Sequence, residues 1–265
     1  MEFPVHSGSS CVRCGDSLSS FASVSDPASN PGNAGLCRAC RLAPPPFVRA
    51  VAYGPYQGTM RAAIQALKYD HLHPAAHGLG RMLAEAIAQL AREAPAEMLV
   101  VPVPLHRSKH AERGFNQARL LAGHALEFLR KSHPQWRFEL APDTLMRLRA
   151  TGSQAGLTPR LRRQNVRGAF KVTAPAAVAG RHVLVIDDIL TTGATARAVA
   201  KALVNAGAAS VWVATLARAR RISANYHDAS ALYGDAAILR DVPGNPLHAD
   251  LQSESMHSSP DQSSF

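Results

Sequence analysis

The sequence of 265 residues lacks several features that define common protein classes. No apolar run reaches about 18 residues and no basic stretch precedes an apolar segment near the N-terminus, so neither a membrane span nor an export signal is indicated. No lysine-containing phosphate loop and no Gly-x-Gly-x-x-Gly follows a predicted strand, which removes the usual support for nucleotide-binding domains. Aromatic residues make up only 6% of the chain, which is few for stacking nucleic acid bases. We expect a cytoplasmic protein.

Cysteine is absent after residue 40, and the four cysteines fall into two pairs. Cys11 and Cys14 form one Cys-x-x-Cys knuckle, and Cys37 and Cys40 form another after a linker rich in Ser, Pro, Asn and Gly. Two such knuckles predict one tetrahedral zinc site, in which the metal supplies folding energy to a short polar segment. Two disulfides are the alternative, which a reducing cytoplasm disfavours. We expect a structural zinc-binding segment over residues 1–46.

An apolar run that ends in two adjacent carboxylates is the most informative part of the sequence. Residues 183–196 read Val-Leu-Val-Ile-Asp-Asp-Ile-Leu-Thr-Thr-Gly-Ala-Thr-Ala, which predicts a buried strand from Val183 to Ile186, then a loop and a helix. Asp187 and Asp188 would lie at the carboxyl end of the strand, where open α/β sheets bind ligands. Hydroxyls, a glycine and a helix N-terminus suit a phosphate, and carboxylates suit sugar hydroxyls or a divalent cation. The stretch therefore predicts a site for a phosphorylated sugar.

The whole chain has a formal net charge of +10, and most of the excess positive charge lies in one segment. Between residues 101 and 170 there are thirteen Arg or Lys residues and four acidic residues. Such a field attracts polyanions, either a diphosphate or a nucleic acid backbone; a surface that only aids solubility is the alternative. Within this segment Arg107, Lys109 and Arg113 follow a predicted strand, and they are candidates for clamping a diphosphate opposite the threonine loop.

The remaining patterns predict alternating strands and helices without an internal repeat. Strands are expected over residues 48–53, 98–103, 144–148, 182–186 and 210–216, and helices over residues 59–68, 75–92, 114–130, 159–167 and 194–206. This alternation predicts an α/β domain over residues 47–218 with a mainly parallel, doubly wound sheet. Residues 219–265 form a C-terminal extension, and we expect its Ser-rich end to be disordered.

The segment from Val183 to Ala196 resembles the phosphoribosyl diphosphate (PRPP) signature of type I phosphoribosyltransferases. With the cysteine knuckles, Leu67-Lys68-Tyr69 and the Arg-Gly-Phe-Asn-Gln segment at residues 113–117, the chain also resembles the ComF family of competence-associated phosphoribosyltransferase-like proteins, from residue 11 to about residue 218. The resemblance implies the phosphoribosyltransferase fold and PRPP bound with Mg²⁺. It also implies a role in DNA uptake and natural transformation, with a helicase or recombination protein as partner.

The resemblance assigns roles to individual residues. Asp187 and Asp188 would bind the ribose hydroxyls of PRPP. Arg107, Lys109 and Arg113 would contact its pyrophosphate. The 5′-phosphate would bind to a loop of five residues: Thr191, Thr192, Gly193, Ala194 and Thr195.

Three further features are open to more than one interpretation. Lys68 receives no catalytic role, because the glycine that often follows Lys-Tyr in this family is replaced by Asp70. The segment over residues 151–163 is either a hood that excludes water from the site or a solvated basic loop. Three histidines without a carboxylate at ligand spacing are expected to be surface or packing residues: His71, His73 and His77.

Two classes of function are compatible with these patterns. As an enzyme, the protein would displace pyrophosphate from PRPP–Mg²⁺ by positioning and charge stabilisation, with no covalent residue and no identified catalytic base. As a binding module, it would hold a phosphorylated sugar such as ribose 5-phosphate, or single-stranded DNA, without turnover. Because the sequence is poor in aromatic residues, DNA binding would depend mainly on phosphate contacts and would be sensitive to salt.

Overall fold

A parallel sheet forms the centre of the computed structural model, which describes residues 10–18, 35–69, 73–149, 166 and 168–219. These residues all belong to one structural unit. The predicted hood, the predicted helix over residues 159–167 and the C-terminal extension lie outside the described residues, apart from Val166 and Ala219. No helix in the described part of the chain is long and apolar enough to cross a membrane.

Strands and helices alternate along most of the chain. The strands are β1 (Ala50–Pro55), β2 (Glu97–Pro102), β3 (Arg137–Leu140), β4 (Leu145–Arg147), β5 (Phe170–Val172), β6 (His182–Leu190) and β7 (Ser210–Arg218). The helices are α1 (Arg38–Leu42), α2 (Gly58–Tyr69), α3 (His73–Ala88), α4 (Arg107–Arg113), α5 (Gln117–Ser132), α6 (Pro175–Val178) and α7 (Ala194–Asn205). The central sheet has the order β1-β7-β6-β2-β3 with every pair parallel, and β4 and β5 form a separate antiparallel pair.

The central strands are buried on both faces, as their continuous apolar runs predict. In β6, Val183 and Val185 belong to the apolar cluster that includes residues of α7, whereas Leu184 and Ile186 belong to the cluster that includes residues of α2, α3 and α5. This alternation follows from the two-residue period of a strand. Helices therefore cover both faces, and the predicted doubly wound, mainly parallel fold is confirmed.

Strand β6 is longer than the sequence analysis predicts. The prediction ends it at Ile186, but it continues through both aspartates to Leu190. The reason is its neighbour: β7 stays in parallel register, with Asp187 opposite Thr215 and Leu190 opposite Arg218. Both carboxylates are consequently held on regular strand backbone rather than on a loop.

The packing of α3 on α5 positions one side of the site. A Cβ added at Gly80 of α3 would lie 2.3 Å from His124 Cβ of α5, so the two helices approach closely only because residue 80 is glycine. The His77 ring is exposed and lies 5.6 Å from the His124 ring and 4.9 Å from the Phe128 ring, which fits the expectation of a surface or packing residue. Helix α5 starts at a cap in which the Asn116 side chain accepts hydrogen bonds from two backbone amides.

The cysteine segment packs against the edge of the same sheet. All four cysteines belong to the apolar cluster of Val183 and Val185, together with Phe47 and Ala50. The backbone N–H of Ala50 donates to the Arg13 carbonyl at 2.8 Å, which joins the first knuckle to β1. The knuckle is therefore close to the strands that carry the predicted phosphate site.

Candidate functional site

Asp188 lies in a buried polar network at the carboxyl end of β6. It is only 5% exposed, and its Oδ2 lies 2.6 Å from Nζ of Lys68 at the end of α2. The side-chain amide of Gln117, the first residue of α5, donates to the same oxygen at 3.2 Å. A buried carboxylate requires such compensation. Three elements that are far apart in sequence thus meet at one carboxylate.

Arg113 lies behind this network. Its Nη1 donates to Oε1 of Gln117 at 2.7 Å, and its guanidinium lies over the Tyr69 ring at 5.5 Å from the ring centre. The structure therefore places Arg113 one residue away from Asp188, where it orients the Gln117 amide. The predicted contact of Arg113 with a pyrophosphate stays a prediction, and the structure adds the contacts with Gln117 and Tyr69.

The second carboxylate, Asp187, is half-buried, and among the described residues it has no ion pair such as the one between Asp188 and Lys68. Its Oδ1 accepts a hydrogen bond from the Asp188 backbone N–H at 2.9 Å. Burial, and then the adjacent charge of Asp188, raise the pKa of Asp187 to about 7. Asp187 is thus the carboxylate that a sugar hydroxyl or a cation would stabilise most.

Lys68 is a site residue that the sequence analysis set aside. Burial is the largest single influence and works against its charged form, but the charge and hydrogen bond of Asp188, together with Asp187 and Tyr56, raise the pKa of Lys68 above its ordinary value. Its ammonium therefore stays charged as the counter-ion of the pair. The sequence analysis assigned Lys68 no catalytic role, and it did not predict the ion pair with Asp188 because the two residues are far apart in the chain.

The predicted phosphate loop connects β6 to α7. Gly193 has φ of 75°, a left-handed conformation that a side chain would strain, and it precedes the first residue of the helix. The Ala194 N–H reaches Oγ1 of Thr192 at 3.4 Å. At the start of the loop, Nη1 of buried Arg218 donates to the Leu190 carbonyl at 2.8 Å and also to the Thr191 carbonyl. A helix N-terminus that follows such a loop is suited to anion binding.

The predicted pyrophosphate residues have different surroundings. Residues 107–113 form helix α4, which the sequence analysis did not predict. Lys109 is paired with Glu112 at 3.0 Å on the exposed side of this helix. Arg107 instead lines an open cavity of about 450 Å³ together with His110, Arg119 and Arg147. Of the three predicted residues, Arg107 is the one that lines this cavity.

This cavity is tied to the carboxylate pair through the backbone. Asn116, which lines it, donates its side-chain amide to the Val103 carbonyl at 3.1 Å, and the Val103 N–H donates to the Ile186 carbonyl at 2.8 Å. Burial lowers the pKa of Arg147, and the negative charge of Asp187 acts in the opposite direction. Asp187 and the cationic cavity therefore belong to one electrostatic environment.

The four cysteine sulfurs form a compact group. All four Sγ atoms lie within 4.8 Å of one another, and all four thiols are free. The Sγ atoms of Cys14 and Cys37 are 3.6 Å apart, far longer than the roughly 2.05 Å of a disulfide. Zinc–sulfur bonds of about 2.3 Å in a tetrahedron place sulfurs about 3.8 Å apart. The cluster can therefore hold a tetrahedral metal ion such as zinc.

The four thiols affect one another's ionisation, and a bound cation would favour the ionised form of all of them. Hydrogen bonds from Cys14 and Cys40 lower the pKa of the Cys11 thiol. The Cys11 thiolate in turn raises the pKa of Cys14 to about 12 and strongly raises that of Cys40. One thiolate thus suppresses ionisation of its neighbours, and a metal ion is what would allow all four to ionise together.

Comparison with known proteins agrees with this geometry. The phosphoribosyl transferase domain family matches residues 138–253. The DNA utilization protein YhgH of Escherichia coli K12 is 35% identical over 184 residues, which cover 69% of this chain and 77% of YhgH. Competence protein F of Haemophilus influenzae is 28% identical over 79% of this chain and 84% of its own length. Competence protein ComFC of Bacillus subtilis is 37% identical over 45% of this chain and 44% of its own length.

The parallel sheet, the acidic pair at the end of β6 and the hydroxyl-rich loop before α7 define a type I phosphoribosyltransferase fold. The relatives narrow this class further. The chain belongs to the ComF family.

Proposed function

We propose that this protein binds PRPP with Mg²⁺ at the carboxyl end of β6. The observation that carries the proposal is the pairing of two buried or half-buried carboxylates with a hydroxyl-rich loop at a helix start, within one strand–loop–helix unit. In this arrangement, Asp187 and Asp188 accept hydrogen bonds from the ribose hydroxyls. The amides and hydroxyls of residues 191–195 hold the 5′-phosphate.

The two carboxylates are suited to different parts of the ligand, Asp188 to a ribose hydroxyl and Asp187 to Mg²⁺. Asp188 already has a counter-ion in Lys68, so it can orient a hydroxyl without a further cation. Asp187, whose pKa is raised to about 7, gains most from an added positive charge. Mg²⁺ prefers carboxylate and phosphate oxygens and keeps several waters. It would therefore associate with Asp187 and the PRPP phosphates, where it would neutralise negative charge.

The pyrophosphate of PRPP would extend toward the cavity lined by Arg107, His110 and Arg119. Loss of pyrophosphate breaks the bond from the ribose C1 atom to a pyrophosphate oxygen, and the bond to an acceptor nucleophile forms at the same carbon. Fixed cations beside the leaving group would stabilise its developing charge. The acceptor is the component that no described residue identifies.

We further propose that the cysteine cluster binds structural zinc and that the protein acts in DNA utilization or competence, as the names of its relatives suggest for them. Four protein thiols leave no open position on the metal for chemistry. Free thiols also fit a reducing cytoplasm. A helicase or recombination protein would be the partner in this role.

A second candidate function is binding of single-stranded DNA without turnover. The excess of positive charge between residues 101 and 170, with Arg107, Arg119 and Arg147 around one cavity, favours it. In that case the bound sugar phosphate would act as a ligand and not as a substrate.

Calorimetry with PRPP and ribose 5-phosphate, with and without Mg²⁺, tests the main proposal. We expect saturable binding by the natural protein and by the matched control E85Q, whose carboxylate lies in an exposed pair with Arg81 on α3. The double variant D187N/D188N should not bind; because it leaves Lys68 without its counter-ion, circular dichroism must first establish that it is folded. Equal affinity in that double variant would place the ligand elsewhere.

Pyrophosphate release in the presence of PRPP, Mg²⁺ and a panel of nucleobases separates the two functional classes. Release that depends on an acceptor would establish an enzyme. Saturable PRPP binding without release would establish a binding module.

A further inference from the structure

Arg218, the last residue of β7, is a buried cation that no predicted role explains. It is 2% exposed. Its Nη1 donates to the carbonyls of Leu190 and Thr191, the residues that end β6 and open the phosphate loop. A guanidinium that holds two successive carbonyls restricts the direction in which the loop leaves the strand.

The opposite side of the same guanidinium faces the cysteine segment. Its Nη2 lies 3.4 Å from Oδ2 of Asp16, which is 7% exposed. The Asp16 carbonyl accepts a hydrogen bond from the Cys11 N–H at 2.7 Å, and the Asp16 backbone N–H donates to the Cys14 thiol. The carboxylate that neutralises Arg218 is thus anchored on the knuckle itself.

A buried guanidinium is costly unless its charge and its N–H groups are compensated. Within the described residues, Nε and Nη2 of Arg218 form no hydrogen bond, so the two carbonyls and the ion pair with Asp16 provide the compensation. If Asp16 moved, Arg218 would lose its counter-ion and would be drawn toward solvent. The carbonyls of Leu190 and Thr191 would lose their donor.

We propose that Asp16 and Arg218 form a positioning link through which metal occupancy of the cysteine cluster sets the conformation of the phosphate loop. The metal fixes residues 11–16, Asp16 fixes Arg218, and Arg218 fixes the backbone at residues 190 and 191. Arg218 is a positioning residue, since it acts on the ligand only through the loop. The test that measures ribose 5-phosphate affinity rests on the proposed function, whereas the test that measures hydrogen exchange in the loop does not.

A second contact also joins the cysteine segment to the strand–loop–helix unit, and its effect must be distinguished from that of the Asp16–Arg218 link. Nη2 of Arg197 on α7 donates to the Ala43 carbonyl at 2.7 Å, just after α1. Loss of metal would loosen the cysteine segment and so disturb this contact too. Variants of Asp16 and Arg218, which leave the four thiols intact, isolate the proposed route.

Hydrogen exchange of the full-length protein provides a test that needs no ligand. We expect chelation of the metal to increase exchange in the peptide that contains residues 190–195. The variant D16N should show the increased exchange while it still holds metal. R218K should behave in the same way, because one ammonium on a shorter side chain replaces the two separate nitrogens that contact the carbonyls and Asp16. The control E139Q, whose carboxylate pairs with Arg181, should match the natural protein.

Ribose 5-phosphate affinity, measured against metal content, supplies the second test. In the natural protein we expect metal removal to weaken binding about tenfold, a common size for coupling between sites. In D16N, binding should be weaker by a similar factor with metal bound, and chelation should add little. If D16N loses its metal, the same affinity measurement is made on R218K. Residue 218 is remote in sequence from the cysteines, so we expect this variant to retain its metal.

Unchanged loop exchange in metal-loaded R218K would overturn the link. Equal effects of chelation in the natural protein and in R218K would do the same, since the signal would then travel by another route. If no protein binds ribose 5-phosphate but the exchange pattern is as expected, the proposed function fails and the link stands.

Discussion

Nζ of Lys68 lies 2.6 Å from Oδ2 of Asp188, and both groups are largely shielded from solvent. The ammonium comes from the end of α2 and the carboxylate from β6, so the pair connects one helical face of the sheet to the edge where we propose that the ligand binds. The negative charge of Asp188 is therefore balanced by Lys68 before any ligand binds. Asp187, its neighbour, is left as the carboxylate whose ionisation depends on what binds.

Replacing Lys68 with Met should leave Asp188 buried without its counter-ion. Breaking one partner of a buried pair typically costs about 3–5 kcal/mol, and we expect a loss near the lower end because Gln117 still donates to Asp188. The matched variant K109M removes an exposed lysine paired with Glu112 and should change the free energy of unfolding by less than about 0.5 kcal/mol. Urea unfolding of both variants measures the difference. Similar midpoints for the two would show that the Lys68 pair contributes no net stability.

The raised pKa of Asp187 makes stability depend on pH. The folded protein binds this proton more tightly than the unfolded chain, whose pKa lies near 3.8. The stabilisation is therefore complete below about pH 4 and is lost as the pH rises through about 7. Relative to D187N, the natural protein should become less stable between these values. Parallel unfolding curves for the two proteins across this range would mean that Asp187 titrates normally.

The same proton should be released when the ligand binds. Ribose hydroxyls and Mg²⁺ both favour the ionised carboxylate, so affinity for PRPP–Mg²⁺ should rise as the pH increases from about 6 to about 8. Calorimetry near pH 6.5 in buffers with different ionisation enthalpies would detect the release. The variant D187N, if it retains any binding, should release fewer protons than the natural protein, because the ligand phosphates, whose second pKa is about 6, then supply the remainder.

Metal analysis should find about one zinc per chain in protein purified without chelator, as the four clustered thiols predict. Replacing Cys37 with Ser should lower the zinc content and destabilise the cysteine segment. Zinc should bind less tightly as the pH falls, since protons compete with the metal for the thiolates. Four free thiols and no zinc in the purified protein would remove this prediction.

Binding to single-stranded DNA should weaken steeply with salt if the basic segment has that role. The logarithm of the affinity should fall with the logarithm of salt concentration by about 0.7 for each phosphate neutralised. The triple variant R160A/R162A/R163A should reduce both affinity and slope, whereas K201A on α7, outside the basic segment, should not. A filter-binding titration measures the slopes. Identical slopes in all three proteins would exclude a DNA role for these arginines.

The fold and the central chemistry of the site follow from local sequence patterns. Continuous apolar strands, alternating helices and the Asp187–Asp188 pair before a hydroxyl-rich loop are readable because each depends on neighbours in the chain. The contacts of Lys68 and Gln117 with Asp188 are long-range in sequence, so no periodicity reveals them. The extension of β6 to Leu190 has the same origin, because only pairing with β7 sustains a strand through two carboxylates.

The absence of a side chain at Gly80 has a bearing on how variants of this protein should be interpreted. Residue 80 lies on the face where α3 meets α5, and even alanine would force the two backbones apart. Helix α5 begins with Gln117, whose amide reaches Asp188. A methyl group at residue 80 would therefore shift α5 and move the Gln117 amide away from Asp188. The resulting loss of affinity would resemble that of a variant in the candidate site itself.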